Sequence, residues 1–334
     1  MRLQKILPSL LLAIGVACIE TKAESVIATI PVNEPNGIAV NFFTHRVYVA
    51  DSGGLSSGTV RVIDERTNQV TDTIVTTGNS VGVAVNIINN LVYVTDYSNG
   101  LLDVIDGYTN QLITTVPVTS SPGAVAINIF TNKIYVSDRF QSAVTIVDGA
   151  TNTVITSLSV ISPEEIGINE ATNLIYVAGN PRFTQGQVTV IDGDSDEVVT
   201  TILTDRMTTG IAVNQFTNTI YATNHDSGTV SVIDGNSNTA IDTLTLGQLL
   251  AADAVDLRTG RLYVNEAPFY PNRGAIAVID GSTDEVLSTV EVGNLPVHIS
   301  LDPFSRRAYV SNFQSGSVSV LSLEDENQEP WGAQ

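Results

Sequence analysis

Apolar and polar positions along this chain alternate in short blocks rather than in helical stripes. Runs such as GIAVN at 37–41, KIYVS at 133–137, TVSVID at 229–234 and TAIDTLTL at 239–246 are separated by turns rich in Gly, Asn, Ser and Thr. Val, Ile and Thr are abundant, and their branched side chains pack well on a pleated surface. No long segment carries a 3.6-residue period, so the pattern predicts an all-β chain.

The blocks recur as a unit. A tyrosine sits in the second strand of each copy, at Tyr48, Tyr93, Tyr135, Tyr176, Tyr221, Tyr263 and Tyr309, with spacings of 45, 42, 41, 45, 42 and 46 residues. A period of about 40–45 residues suits a four-stranded propeller blade. Each unit opens with an apolar strand ending in Asn or Asp, followed by a short turn such as Phe130-Thr131-Asn132 and then the tyrosine strand. Tyrosine-strand runs such as LVYV and LIYV are apolar on both faces, which implies burial between two neighbours. Seven units stacked in a ring meet that demand and leave only short, protected edges.

The two ends of the repeat predict how the ring closes. Unit seven finishes in SVSVLSL at 317–323 without a fourth strand, and a matching strand, SVIATIPV at 25–32, stands before unit one. The N-terminal strand is therefore expected to complete the last blade of a seven-bladed β-propeller built from four-stranded antiparallel blades. The predicted organisation is a signal peptide over 1–23, the propeller over 24–323 and an acidic tail over 324–334, which holds the single tryptophan, Trp331.

The tyrosine-strand sequences YVADS, YVTDY, YVSDR, YATNH and YVSNF, with VID and a Thr-Asn turn downstream, resemble the YVTN-type β-propeller repeat family over about residues 25–323. That resemblance implies a propeller of the kind found among surface-layer and exported proteins of prokaryotes, with a scaffold or recognition role. It brings no shared catalytic residues.

Composition adds location and excludes some partners. Arg2 and Lys5, the apolar stretch Ile6–Ala17 and the small-residue site Thr21-Lys22-Ala23 read as an export signal. The apolar stretch is far short of the ~20 residues that span a bilayer, so no transmembrane span is expected. Gly15-Val16-Ala17-Cys18 offers an alternative, a lipid anchor at Cys18, although Gly15 stands where such sites usually carry Leu. Cys18 is the only cysteine, so no internal disulfide forms and no thiol remains after cleavage at Ala23. The formal charge is −20. Without residues 1–23, which hold Arg2, Lys5, Lys22 and Glu20, 12 basic and 34 acidic residues remain, a formal charge of −22. Such a surface repels phosphate backbones, so nucleic acid is not an expected partner. A monomer is expected.

Two short motifs read first as turns, with weak calcium binding the alternative at the second. Gly78-Asn79-Ser80-Val81-Gly82 matches a nucleophile elbow, but that motif needs a strand-to-helix turn, and here it joins two repeats. Asp192-Gly193-Asp194-Ser195-Asp196-Glu197 spaces carboxylates as calcium loops do, yet lacks the Gly and Glu of a full loop. Its counterparts DERTN, DGYTN, DGNSN and DGSTD read as Asx-type turns. With only His45, His225 and His298 as imidazoles and no H-E-x-x-H pair, neither a zinc site nor a cofactor is expected.

Candidate sites lie where one unit departs from the others. Four residues before the end of the first strand the units carry Gly37, Gly82, Ala124, Glu165, Gly210, Ala252 and His298. The next position reads Ile38, Val83, Val125, Ile166, Ile211, Asp253 and Ile299. Glu165, Asp253 and His298 break a small-or-apolar rule near the axis, with Asp253 and His298 in adjacent units. The loops after the tyrosine strands are longest at 180–186 and 266–274, which hold Arg182, Phe183, Phe269, Tyr270 and Arg273, residue types typical of recognition anchors. His225, which follows another tyrosine strand, joins them as a ligand-binding candidate.

These residues point to an exported propeller that binds a small-molecule or protein ligand on the face carrying those loops. Two alternatives stand beside it. One is a propeller enzyme of the lyase, lactonase or dehydrogenase-subunit type, with His298 as acid/base oriented by Asp253 and Glu165 as a second carboxylate or metal contact. The other is a structural component of the cell surface.

Overall fold

In a computed structural model of the protein, the described residues are 24–53, 58–181, 185–247, 249–267 and 273–323. They form seven antiparallel sheets of four strands each, with no helix. Blade 1 runs from the axis outward through Pro35–Asn41, Arg46–Asp51, Thr59–Asp64 and Gln69–Val75. Blades 2 to 6 repeat this order with inner strands Ser80–Asn86, Val125–Asn128, Pro163–Asn169, Thr208–Asn214 and Leu250–Val255. Each inner strand packs against the next, and that of blade 7, Pro296–Asp302, meets that of blade 1.

Ring closure takes the form the repeat predicts. Ser25–Pro31 is the outer strand of blade 7, antiparallel to Ser317–Ser322, from Ser25 opposite Ser322 to Pro31 opposite Ser317. Beside it, Glu24 is almost fully buried against Arg261 of blade 6, at 2.6 Å, and accepts a hydrogen bond from Ser288. The closing strand is thus tied to both of the last two blades.

Burial follows the alternation within the sheets. Tyrosine strands are covered along nearly their whole length, as in Leu91–Asp96, whereas outer strands such as Thr239–Thr245 are mostly exposed. The core is divided into seven apolar clusters, one at each junction between neighbouring blades, and one of them joins Ile38 and Val47 of blade 1 to Tyr309 and Val318 of blade 7. Each repeat tyrosine is at most 1% exposed and fills such a junction. An aromatic ring buries 150–250 Å², so each tyrosine is worth several kcal/mol of transfer free energy at ~25 cal/mol per Å². Burial raises the hydroxyls of Tyr93, Tyr176, Tyr221 and Tyr309 to about 12.

The Thr-Asn turns have a backbone reason. At the end of each inner strand the chain turns through one residue with positive φ: His45, Asn90, Asn132, Asn173, Asn218, Gly260 and Arg306, at 54 to 75°. Asn tolerates this left-handed geometry better than most residues. Its side chain then serves a second purpose. Asn41 donates to Asn90 at 2.7 Å, Asn86 to Asn132 at 2.8 Å, Asn128 to Asn173 at 2.8 Å and Asn169 to Asn218 at 2.7 Å. Each bond crosses from one blade to the next, so the turn signal is also the clamp between blades 1 to 5.

The carboxylates of 192–197 behave as turn residues. Asp192 accepts the amides of Asp194 and Ser195, Asp194 accepts from Asn173, and Asp196 holds Lys133 at 2.8 Å. Ser80 of the elbow-like motif lies within an inner strand, bonded to Thr76 at 2.7 Å.

Candidate functional site

Inner strands enter the ring at one face, and the loops that follow the tyrosine strands return to that same face. There the central channel opens into a cavity of about 470 Å³ with residues from all seven blades in its wall. That volume lies within the range of small-molecule sites, ~300–1,000 Å³. Two residues that break the repeat meet in it. His298 of blade 7 and Glu165 of blade 4 bond across the cavity, Nε2 to Oε2, at 3.1 Å, each side chain 27% exposed. They occupy the same position in their inner strands, where the other units carry Gly or Ala. At Gly82 the small residue has a steric reason: a Cβ there would lie 2.6 Å from the carbonyl oxygen of Gly123, just before the neighbouring inner strand.

Asp253 does not orient His298. It stands one residue further along its strand, at the position of Ile38 and Ile211, and period-2 alternation turns it away from the lumen into the junction between blades 5 and 6. There it is 9% exposed, and no side chain donates to either carboxyl oxygen; only the backbone amides of Asp253 and Ala212 approach it, without well-formed hydrogen bonds. The space above Gly210 brings its Oδ1 and the unpartnered Thr223 Oγ1 together: a Cβ at Gly210 would meet them at 2.9 and 2.3 Å. Burial, and then the negative charge of Glu165, push the Asp253 carboxyl well above the usual carboxylate range. Asp253 thus stands behind the cavity wall in surroundings that favour its protonated form, and the imidazole–carboxylate pair is His298 with Glu165.

A second pair flanks the first. Arg139 and Glu164 form an ion pair at 2.8 Å, and Asn180 Nδ2 lies 3.4 Å from the same carboxylate. Burial raises the Glu164 carboxyl, and the guanidinium opposes that shift. The rim is aromatic: Tyr97 and Phe140 meet edge to face at 6.4 Å, and Phe313 stands on the blade 7 side.

Sequence reasoning passed over Arg139, Tyr97, Phe140 and Phe313 because it looked for long loops. Their signal was simpler. Each falls directly after a tyrosine strand, at positions that vary among YVTDY, YVSDRF and YVSNF while the strands do not.

The remaining predicted residues are dispersed. His225 lies on the same face, but its Nδ1 sits 3.3 Å from Asp226 and it does not line the cavity. Arg273 is exposed beside Glu291 at 3.8 Å, in a groove between the outer parts of blades 6 and 7 rather than at the channel. Arg182, Phe183, Phe269 and Tyr270 lie outside the described residues, as do Cys18 and Trp331. Among the described residues, no three His, Cys, Asp or Glu side chains are grouped as a metal ion would require, and no helix is long and apolar enough to cross a membrane.

The fold and its axial cavity define the class: a seven-bladed β-propeller with an open channel mouth. Among solved structures the chain is similar to hydrazine synthase of Kuenenia stuttgartiensis, with a TM-score of 0.76 and 17% identity over 88% of this chain and 96% of that one. At that identity the likeness is one of fold. No protein-family model matches the chain, and no curated protein matches it.

Proposed function

We propose that the protein is an exported binding module whose ligand seats in the channel mouth. The observation that carries this reading is the Glu165–His298 bridge, two charged or ionisable side chains set across a cavity where five of seven units supply Gly or Ala. Polar groups converging in a concave, partly aromatic site are the usual form of a binding pocket. Export rests on the residue pattern of 1–23, and a recognition role agrees with the YVTN-type resemblance.

Thermal unfolding of the protein against a library of small cations, sugars, lactones and envelope extracts tests the reading. A ligand that binds only the folded state stabilises it by about 2.7 kcal/mol at a hundredfold excess over Kd. The expected result is a shift that His298→Ala and Glu165→Gln both remove. Ligand shifts that persist in both variants would move the site elsewhere.

The same pair supports a second reading. An imidazole held by a carboxylate is the arrangement of a general acid–base, with Glu165 in the orienting role first given to Asp253. Turnover of any substrate by the wild type that survives His298→Ala removes it.

A further inference from the structure

We infer that the channel mouth takes a small organic cation, an ammonium group carried on an apolar body. This rests on the channel-mouth reading above and names the chemistry of its ligand. Charge comes first. Of the described ionisable residues lining the mouth, Arg139 is held by Glu164 at 2.8 Å, which leaves Glu165 facing only His298. A neutral imidazole can satisfy one oxygen of Glu165 as a donor without balancing its charge. Behind the wall, next to lining residues Thr209, Ala251 and Ala252, Asp253 is nine-tenths buried with no side-chain donor to either oxygen. Glu165 is near enough for its charge to oppose ionisation of Asp253. An arriving positive charge would be drawn to Glu165, and an anion would be repelled by it.

The rim supplies the second half of the chemistry. Tyr97 and Phe140 are 38% and 60% exposed, large apolar surfaces kept in water at the edge of a charged cavity. Aromatic faces attract ammonium groups through the ring quadrupole and also cover apolar carbon. A formal charge of −20 on the chain raises the local concentration of cations at such a mouth. An inorganic ion fits less well, because the described acids and histidines do not gather into a coordination shell.

Titration calorimetry on the purified protein tests this with four probes of one shape: benzylammonium, benzyltrimethylammonium, benzyl alcohol and benzoate, at matched ionic strength. The two cations should bind at least about tenfold more tightly than the alcohol, with benzoate weakest. Glu165→Gln should weaken the cations about tenfold and leave the alcohol unchanged. Phe140→Ala should weaken all probes that bind. Circular dichroism melts of both variants should match the wild type. Equal affinity for cation and alcohol, or indifference of the cations to Glu165→Gln, would overturn the inference. Preference for benzoate or the alcohol, still lost in Phe140→Ala, would overturn the cation while the channel-mouth site stands. Binding of none of the four also overturns it, and the library screen then decides the site on its own.

Discussion

Where the inner strands end, four of the seven blade junctions repeat one Asn-to-Asn hydrogen bond. Where they begin, the side chains facing the cavity change from blade to blade. The first mouth repeats one contact from junction to junction, and the second leaves the Thr223 hydroxyl without a partner, buries the Asp253 carboxyl without a side-chain donor and sets Glu165 against His298. One mouth is built on a repeated contact, and the other varies from blade to blade. Departures from local consistency with no structural return are what a functional face predicts.

The regular mouth is itself not uniform. Between blades 5 and 6 the accepting position is Gly260, which has no side chain to receive Asn214. Between blades 6 and 7 an ion pair, Arg306 with Asp256 at 2.6 Å, replaces the amide bond. At the closing junction Glu65 and Asp302 are both buried, with His45 Nδ1 at 3.5 Å from Glu65. Burial and the Asp302 carboxyl push Glu65 upward. The amide clamp thus serves the four junctions among blades 1 to 5, and charged groups serve the two junctions of blade 7.

The comparison can be broken most severely at the closing strand. Arg261→Met would leave Glu24 buried without its partner and should cost ~3–5 kcal/mol in chemical denaturation, with Glu24→Gln in the same chain recovering part of it. A loss below 1 kcal/mol would mean that the closing junction does not depend on this pair. Next comes the clamp. Asn169→Ala removes both the bond to Asn218 and the acceptor of the Ala171 and Thr172 amides. It should cost ~1–3 kcal/mol.

At the other mouth the sign reverses. Asp253→Ile restores the residue type of the other blades and should stabilise the protein by ~1–2 kcal/mol near neutral pH, since it removes a buried acid that has no side-chain donor. The pH dependence follows from linkage. The unfolded carboxyl ionises near 3.8 while the folded one keeps its proton, so wild-type stability falls as pH rises from about 4 toward the raised folded pKa. Glu65 contributes the same sign. The Asp253→Ile chain should therefore show a shallower fall, and the difference between the two curves isolates Asp253. Parallel curves would mean that Asp253 is ionised in the folded state. Smallest of all, Glu165→Gln should change stability by less than about 1 kcal/mol, because the pair with His298 is partly solvated. Its consequence should be confined to ligand binding.

The sequence by itself determined the repeat, the four strands of each blade, the ring of seven and the closure by Ser25–Pro31. These features are local or periodic: an alternation, a Thr-Asn turn, a tyrosine at fixed register, a strand missing at one end and present at the other. It also marked Glu165 and His298 as departures, because a repeat carries its own reference. What it missed was partnership. Glu165 and His298 are 133 residues apart and meet only because blades 4 and 7 face each other across a closed channel. Asp253, adjacent to His298 by blade, is removed from it by a single step of strand alternation. The aromatic rim escaped notice because Tyr97, Phe140 and Phe313 follow unremarkable strands in three different blades. Only closure of the ring brings three such loop positions to one mouth, since strand chemistry is written along the chain and a channel is shared between its ends.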